Sequence, residues 1–135
     1  MSVLLPPYAE ALGVVAERDD NGRLVLAMDF AAHVRGRPGF LHGGAIAGLL
    51  ELAAIATVQD RLGSDDRPRF KPITVTTDFM RGGRDKRTYA AAVISRLGSR
   101  LANVESFAWQ ESEDTPIAAA RLNFLLARAT GSPNR

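Results

Sequence analysis

The sequence predicts an α+β fold, an antiparallel β-sheet wrapped around one long central α-helix. Three features lead there. The first is GFLHGGAIAGLLELAAIATVQ, Gly39 to Gln59, which is apolar or small nearly throughout and has Glu51 as the only formal charge between Arg37 and Asp60. The second is Asn21-Gly22 set between two apolar runs, the strongest short-range signal for a hairpin. The third is period-two alternation in the second half of the chain, where Ile73, Val75, Thr77 and Phe79 share one face and Ala118, Ala120, Leu122, Phe124 and Leu126 share another.

Taken in order, Leu12–Asp19 and Arg23–Phe30 read as two strands joined by Asp20-Asn21-Gly22, with Leu24, Leu26, Met28 and Phe30 on one side. A loop rich in Gly, Arg and Pro follows from Ala31 to Leu41, and then a helix from about His42 to Arg61. Strands are expected around Ile73–Met80, at Thr88–Leu97 and Arg100–Glu111 across Leu97-Gly98-Ser99, and at Ala118–Leu126. Arg81-Gly82-Gly83-Arg84 and Glu113-Asp114-Thr115-Pro116 are the remaining turns, and Thr130–Arg135 is a short polar tail. A helix apolar on nearly its whole circumference is buried most economically by a sheet that curls around it. Its leftover face and the open sheet edges then favour dimerisation.

The 135 residues suffice for one core without staples, so residues 1–135 are expected to form a single domain. The absence of cysteine excludes a disulfide framework, a thiolate metal site and a cysteine nucleophile, and it fits a reducing compartment. MSVLLPPYAE has neither a basic n-region nor a long apolar h-region, so no signal peptide is read and the cytoplasm is expected. Phe40–Val58 approaches the length of a membrane span, but Glu51, His42 and its glycines favour a buried helix of a soluble protein. Charge is uneven: from Arg67 to Arg100 nine Lys and Arg stand against Asp78 and Asp85, in a chain of net charge +2. That stretch suits an anionic ligand, or else a set of solvated strand edges on which cations discourage aggregation.

Two features carry chemistry. At the start of the helix, Leu41-His42-Gly43-Gly44 combines glycines, which let another group approach the backbone, with the unpaired amides and positive dipole end of a first turn. It reads as an oxyanion hole or as a plain tight turn. Glu51 is flanked on the helix by Ala47, Gly48, Ala54 and Ile55, none of which can form a salt bridge. Burial there would raise its pKa toward the range of a general base, and the alternative is a structural carboxylate bonded to a neighbouring strand or subunit. Gly43 and Glu51 are about 12 Å apart along one helix axis. One substrate carbonyl meets both only if two helices run antiparallel across a two-fold axis, so the site would require a dimer. The chain has no Gly-x-Ser-x-Gly, P-loop or HExxH motif. His33 and His42 lack a carboxylate cluster, so no metal is expected and His33 reads as a loop residue.

His42-Gly43-Gly44, followed by an acidic residue nine positions after the histidine on a long apolar helix, resembles the hotdog-fold acyl-CoA thioesterases of the phenylacetate-degradation type. The run ITVTTDFMRGGRDKRTYAAAVISRLGSRLANVESFAWQE is similar to their second half, and the resemblance extends from Val15 to Ala127. It implies the hotdog fold, dimers joined edge to edge, tetramers of such dimers, and hydrolysis of acyl-CoA thioesters with no cofactor or metal. Carried over by position, Glu51 is the general base or the nucleophile, Gly43 supplies the oxyanion amide from the opposite subunit, and His42 orients thioester or water, while Gly44 is a candidate substrate-binding residue. Arg81, Arg84 and Arg100 are candidates for the phosphates of CoA. Two positions depart from the family's pattern. Gly36 stands where many relatives have asparagine, and Ile55 where those with a catalytic Glu often have Thr or Ser.

The leading expectation is therefore a homodimeric or homotetrameric thioesterase acting on a small or medium, or aromatic, acyl-CoA. Its rivals are a non-catalytic acyl-CoA-binding or regulatory protein using the same groove, and an enoyl-CoA hydratase or dehydratase using His42 and Glu51. Neither nucleic acid nor membrane is an expected partner, since the basic stretch lacks a base-stacking motif.

Overall fold

A computed structural model of the protein describes residues 3–63 and 65–128, so the polar tail lies outside the described residues. A short helix, α1 (Pro7–Leu12), leads into the strands β1 (Val14–Arg18) and β2 (Leu24–Met28). A 3-10 turn at Ala32–Val34 precedes the long helix α2 (Gly43–Leu62), and β3 (Arg69–Phe79), β4 (Thr88–Leu97), β5 (Leu101–Trp109) and β6 (Ala118–Ala127) complete the fold. The strands form one antiparallel sheet in the order β1-β2-β4-β5-β6-β3. This is the hotdog arrangement, with α2 against the inner face. No described helix is long and apolar enough to cross a membrane.

Helix α1 differs from the sequence expectation, which began a strand at Leu12. Pro6 and Pro7 open the helix where a missing N–H costs nothing, and Gly13 closes it at φ 73°, so Leu12 ends a helical turn before the strand begins. The β1–β2 hairpin uses a five-residue connection, Asp19–Arg23, with Gly22 at φ 81°. Asp19 organises it: its Oδ1 accepts from the amides of Asn21 and Arg23, both at 2.9 Å.

The core is small against large. Leu49, Leu50, Leu52, Ala53 and Val58 of α2 pack in one cluster with Leu24, Leu26 and Met28 of β2 and with Leu122, Phe124 and Leu126 of β6. The inner face also carries Ala90, Ala92, Ala102, Ala108, Ala118 and Ala120, whose short side chains let the curled sheet close around the helix. Strand β2 is buried on both faces, which a helix-side alternation alone does not predict. On the outer face Tyr89 stacks on Trp109 with ring centroids 6.0 Å apart, with Arg23 lying over Trp109 and Arg87 over Tyr89, both at 5.7 Å. That layer covers the outer side of β2.

Both ends of the sheet are open. Among the described residues strand β3 pairs only with β6; it is exposed along most of its length, and its register shifts between Pro72 and Thr74, which leaves Ile73 as the extra residue. Pro72 lacks an amide hydrogen and is tolerated on such an edge.

Candidate active site

The first turn of α2 is held by a built loop. His42 N–H donates to the Val34 carbonyl at 2.8 Å, Leu41 N–H to Gly83 at 2.8 Å, and Gly36 N–H to Phe40 at 2.9 Å. Gly39 turns the loop at φ 82°. The loop thus binds to the β3–β4 turn and fixes where α2 begins.

His42 is the N-cap of α2, and Gly44 N–H donates to its Nδ1 at 2.8 Å. With Nδ1 accepting from Gly44, Nε2 is the ring nitrogen left to donate, and it has no hydrogen-bond partner among the described residues. The Gly44 amide is consumed by this cap. The Gly43 amide, by contrast, has no acceptor among the described residues, and the Phe79 ring lies beside it, 3.6 Å from where a Cβ on Gly43 would stand. An open first-turn amide at the positive end of a 20-residue helix is a site for negative charge.

Glu51 lies two turns further on. Gly44, Ala47, Glu51 and Ile55 recur at helical spacing on the stripe that the sheet does not bury, and Glu51 is half-buried there. Among the described residues it has no hydrogen bond or ion pair. The full burial expected from the sequence does not hold for a single chain, because the sheet covers α2 on the other side.

A cavity of about 310 Å³ opens at the helix start, walled by Phe40, Leu41, Gly43, Ile46, Phe79 and Met80, with Arg37 and Arg81 also lining it. Phe40 lies between two guanidiniums, Arg37 at 4.1 Å and Arg84 at 4.3 Å from the ring centroid. The side-chain amide of Gln110 pins Arg84 by its backbone, accepting from the Arg84 amide and donating to its carbonyl, each at 3.0 Å. Gly82 is required here, since a Cβ on it would stand 2.8 Å from Phe40.

His42, Gly43, Gly44, Arg81 and Arg84 are therefore gathered at one end of the molecule, with Glu51 on the same helix. Arg100 is not among them. It sits at the β4–β5 turn, where its carbonyl accepts from Leu126 at 2.7 Å, at the opposite end of the sheet. Sequence reasoning missed Arg37, Phe40 and Phe79 as site walls. The paired arginines around Phe40 come from two separate loops, and no local spacing announces that contact.

The chain matches the family model of the thioesterase superfamily over residues 38–117, which include the helix start, Glu51 and the β3–β4 turn. No curated protein matches the sequence. Among solved structures, the Bacillus halodurans protein BH2602, determined with CoA, is 18% identical, with 92% of this chain and 80% of that chain covered at a TM-score of 0.79. A Chromobacterium violaceum protein is 31% identical, with 90% of this chain and 83% of that one covered at a TM-score of 0.67. A phenylacetic acid degradation-related protein from Ralstonia eutropha is 18% identical, with 90% and 91% covered at a TM-score of 0.75. In both sequence and fold, this chain belongs to the thioesterase superfamily.

Proposed function

We propose that the protein is an acyl-CoA thioesterase whose site forms between two copies of the chain. The observation that carries this is an amide, Gly43, and a carboxylate, Glu51, both on α2 and neither with a hydrogen-bond partner among the described residues. Strand β3 supplies the means of pairing. Its open edge bears Val75 at 45% and Phe79 at 55% exposure, and a second β3 running antiparallel across a two-fold axis completes the ladder and covers them. That symmetry brings Gly43 of one protomer to Glu51 of the other, twice.

Glu51 takes a proton from water as the water oxygen bonds to the thioester carbon. The carbonyl oxygen becomes an oxyanion on the Gly43 amide, and collapse breaks the carbon–sulfur bond, with the proton passing to the thiolate. In the nucleophilic variant, the carboxylate bonds to the carbon, expels thiolate and is freed when water opens the mixed anhydride. His42 offers Nε2–H to the thioester or the water. No cofactor enters, and CoA is part of the substrate. Arg81 and Arg84 lie on the Gly43 side and meet the CoA phosphates. Antiparallel β3 pairing carries the partner's β4–β5 turn toward this end, which gives Arg100 the same role from the second protomer.

Thiol release from a panel of acyl-CoA esters, measured with the wild type and with Glu51→Gln, tests the proposal. The expected result is turnover in the wild type and a loss of at least 10³-fold in the variant. Single turnover in ¹⁸O-water that leaves label in Glu51 identifies the anhydride route, with water attacking the anhydride at the Glu51 carbonyl carbon. One observation favours a non-catalytic acyl-CoA-binding protein instead. A Cβ at Gly36 would stand 3.1 Å from the His42 backbone, so this position contributes no polar side chain to the site. Binding of acyl-CoA without turnover of any ester would establish that reading.

A further inference from the structure

Helix α1 lies across α2, and its Tyr8 is seated on Gly48. A Cβ at Gly48 would stand 2.9 Å from Tyr8 Cε2, 3.1 Å from its hydroxyl and 3.0 Å from Leu12 Cδ1. The missing side chain is what lets the ring rest on the helix backbone. Tyr8 remains 51% exposed, and among the described residues its hydroxyl has no hydrogen-bond partner. Gly48 is three residues from Glu51, so the two are neighbours on the helix surface, and the Glu51 side chain leans back toward this turn.

We propose that Tyr8 closes the acyl end of the site and restricts the protein to short or single-ring acyl groups. The inference rests on the two-protomer thioesterase reading above. With two α2 helices antiparallel, the arginine-rimmed cavity and Gly43 belong to one protomer and Glu51 to the other. Moving from the arginines past Glu51 means moving toward the N-terminus of the second helix. The next turn there is Gly48, with Tyr8 upon it. CoA and Tyr8 thus lie on opposite sides of the thioester. The rise from Gly48 to Glu51 is about 4.5 Å, room for a few carbons or one ring before the phenol is met.

The test compares kcat/KM for butanoyl-, phenylacetyl- and octanoyl-CoA in the wild type, Tyr8→Ala, Tyr8→Leu and Tyr8→Phe of the full chain, read by thiol release. The wild type is expected to favour butanoyl or phenylacetyl over octanoyl. Tyr8→Ala should raise the octanoyl-to-butanoyl ratio tenfold or more, Tyr8→Leu should raise it less, and Tyr8→Phe should leave it within twofold. This ratio does not depend on the fraction of protein folded, so it separates a wall from a merely structural residue. An unchanged ratio in both Tyr8→Ala and Tyr8→Leu, or a wild type that prefers octanoyl, overturns the proposal. So does a collapse of kcat in Tyr8→Phe, which would make the hydroxyl the working part. Failure of the wild type on all three esters overturns the thioesterase reading and this inference with it.

Discussion

His42 does two jobs with one ring. Its Nδ1 caps α2 through the Gly44 amide, and on the proposed mechanism its Nε2 is a donor to the substrate, so a substitution would remove a structural bond and that donor together. The two can be separated. His42→Ala should lower stability by about 1 kcal/mol, the usual loss for an N-cap, and His42→Asn should recover most of that because its side-chain oxygen can accept the same bond. Thermal unfolding reads the cap, and thiol release reads the donor that asparagine does not place in the same position. Equal melting temperatures for the wild type and His42→Ala would show that the bond contributes nothing. At this scale the sequence was informative where the signal was local. Glu51 stood out as a lone charge in an apolar run and Gly43 as part of a glycine pair at a helix start, whereas Arg84 on Phe40, and Tyr8 on Gly48, are meetings of residues distant along the chain.

Among the elements, periodicity located most of what is present. Thr88–Leu97 was bounded correctly, and α2 within a residue at each end, because α2 is long and β4 is bracketed by turns. Helix α1 was missed because six residues are too few to show a helical period, and because its Leu12 continues the apolar run of β1. The β1–β2 hairpin also has an electrostatic dependence that the structure explains. The Asp19 carboxylate is held below its ordinary range, first by the backbone amide of Arg23. Glu113 is lowered chiefly by the hydrogen bonds it accepts from the Arg23 guanidinium. A depressed folded pKa gives stability that is present above the unfolded value, near pH 4, and is lost as pH falls through the folded value. The melting temperature should therefore decline more steeply below about pH 4 in the wild type than in Arg23→Met, which removes the guanidinium partner. Parallel curves for the two proteins would show that the ion pairs add nothing to the acid sensitivity.

For the whole molecule, the open edge of β3 is decisive. A lysine at position 75 is tolerable on a solvated edge but places charge in the centre of a β3–β3 contact. If the site is shared between two protomers as proposed, Val75→Lys should sediment as a monomer and lose thiol release at least 100-fold, because Gly43 and Glu51 lie two turns apart on one helix. A monomeric variant that retained activity would rule out a site shared between protomers. The curled sheet and its single helix were readable from the sequence, since an all-round apolar helix among alternating strands leaves few ways to bury it. The strand order was not, because β3 does not pair with the strand that follows it. That order bears on how the chain is made. Phe79 must find Ala118 and Arg69 must find Ala127, so β3 emerges from the ribosome with no strand to join and waits while β4 and β5 are synthesised. Throughout that interval Ile73, Val75 and Phe79 stand on a strand with both edges unpaired, the condition in which nascent chains aggregate. Arg67, Arg69, Lys71 and Pro72 lead that strand and act as gatekeepers, keeping it apart from its neighbours until its own partner arrives.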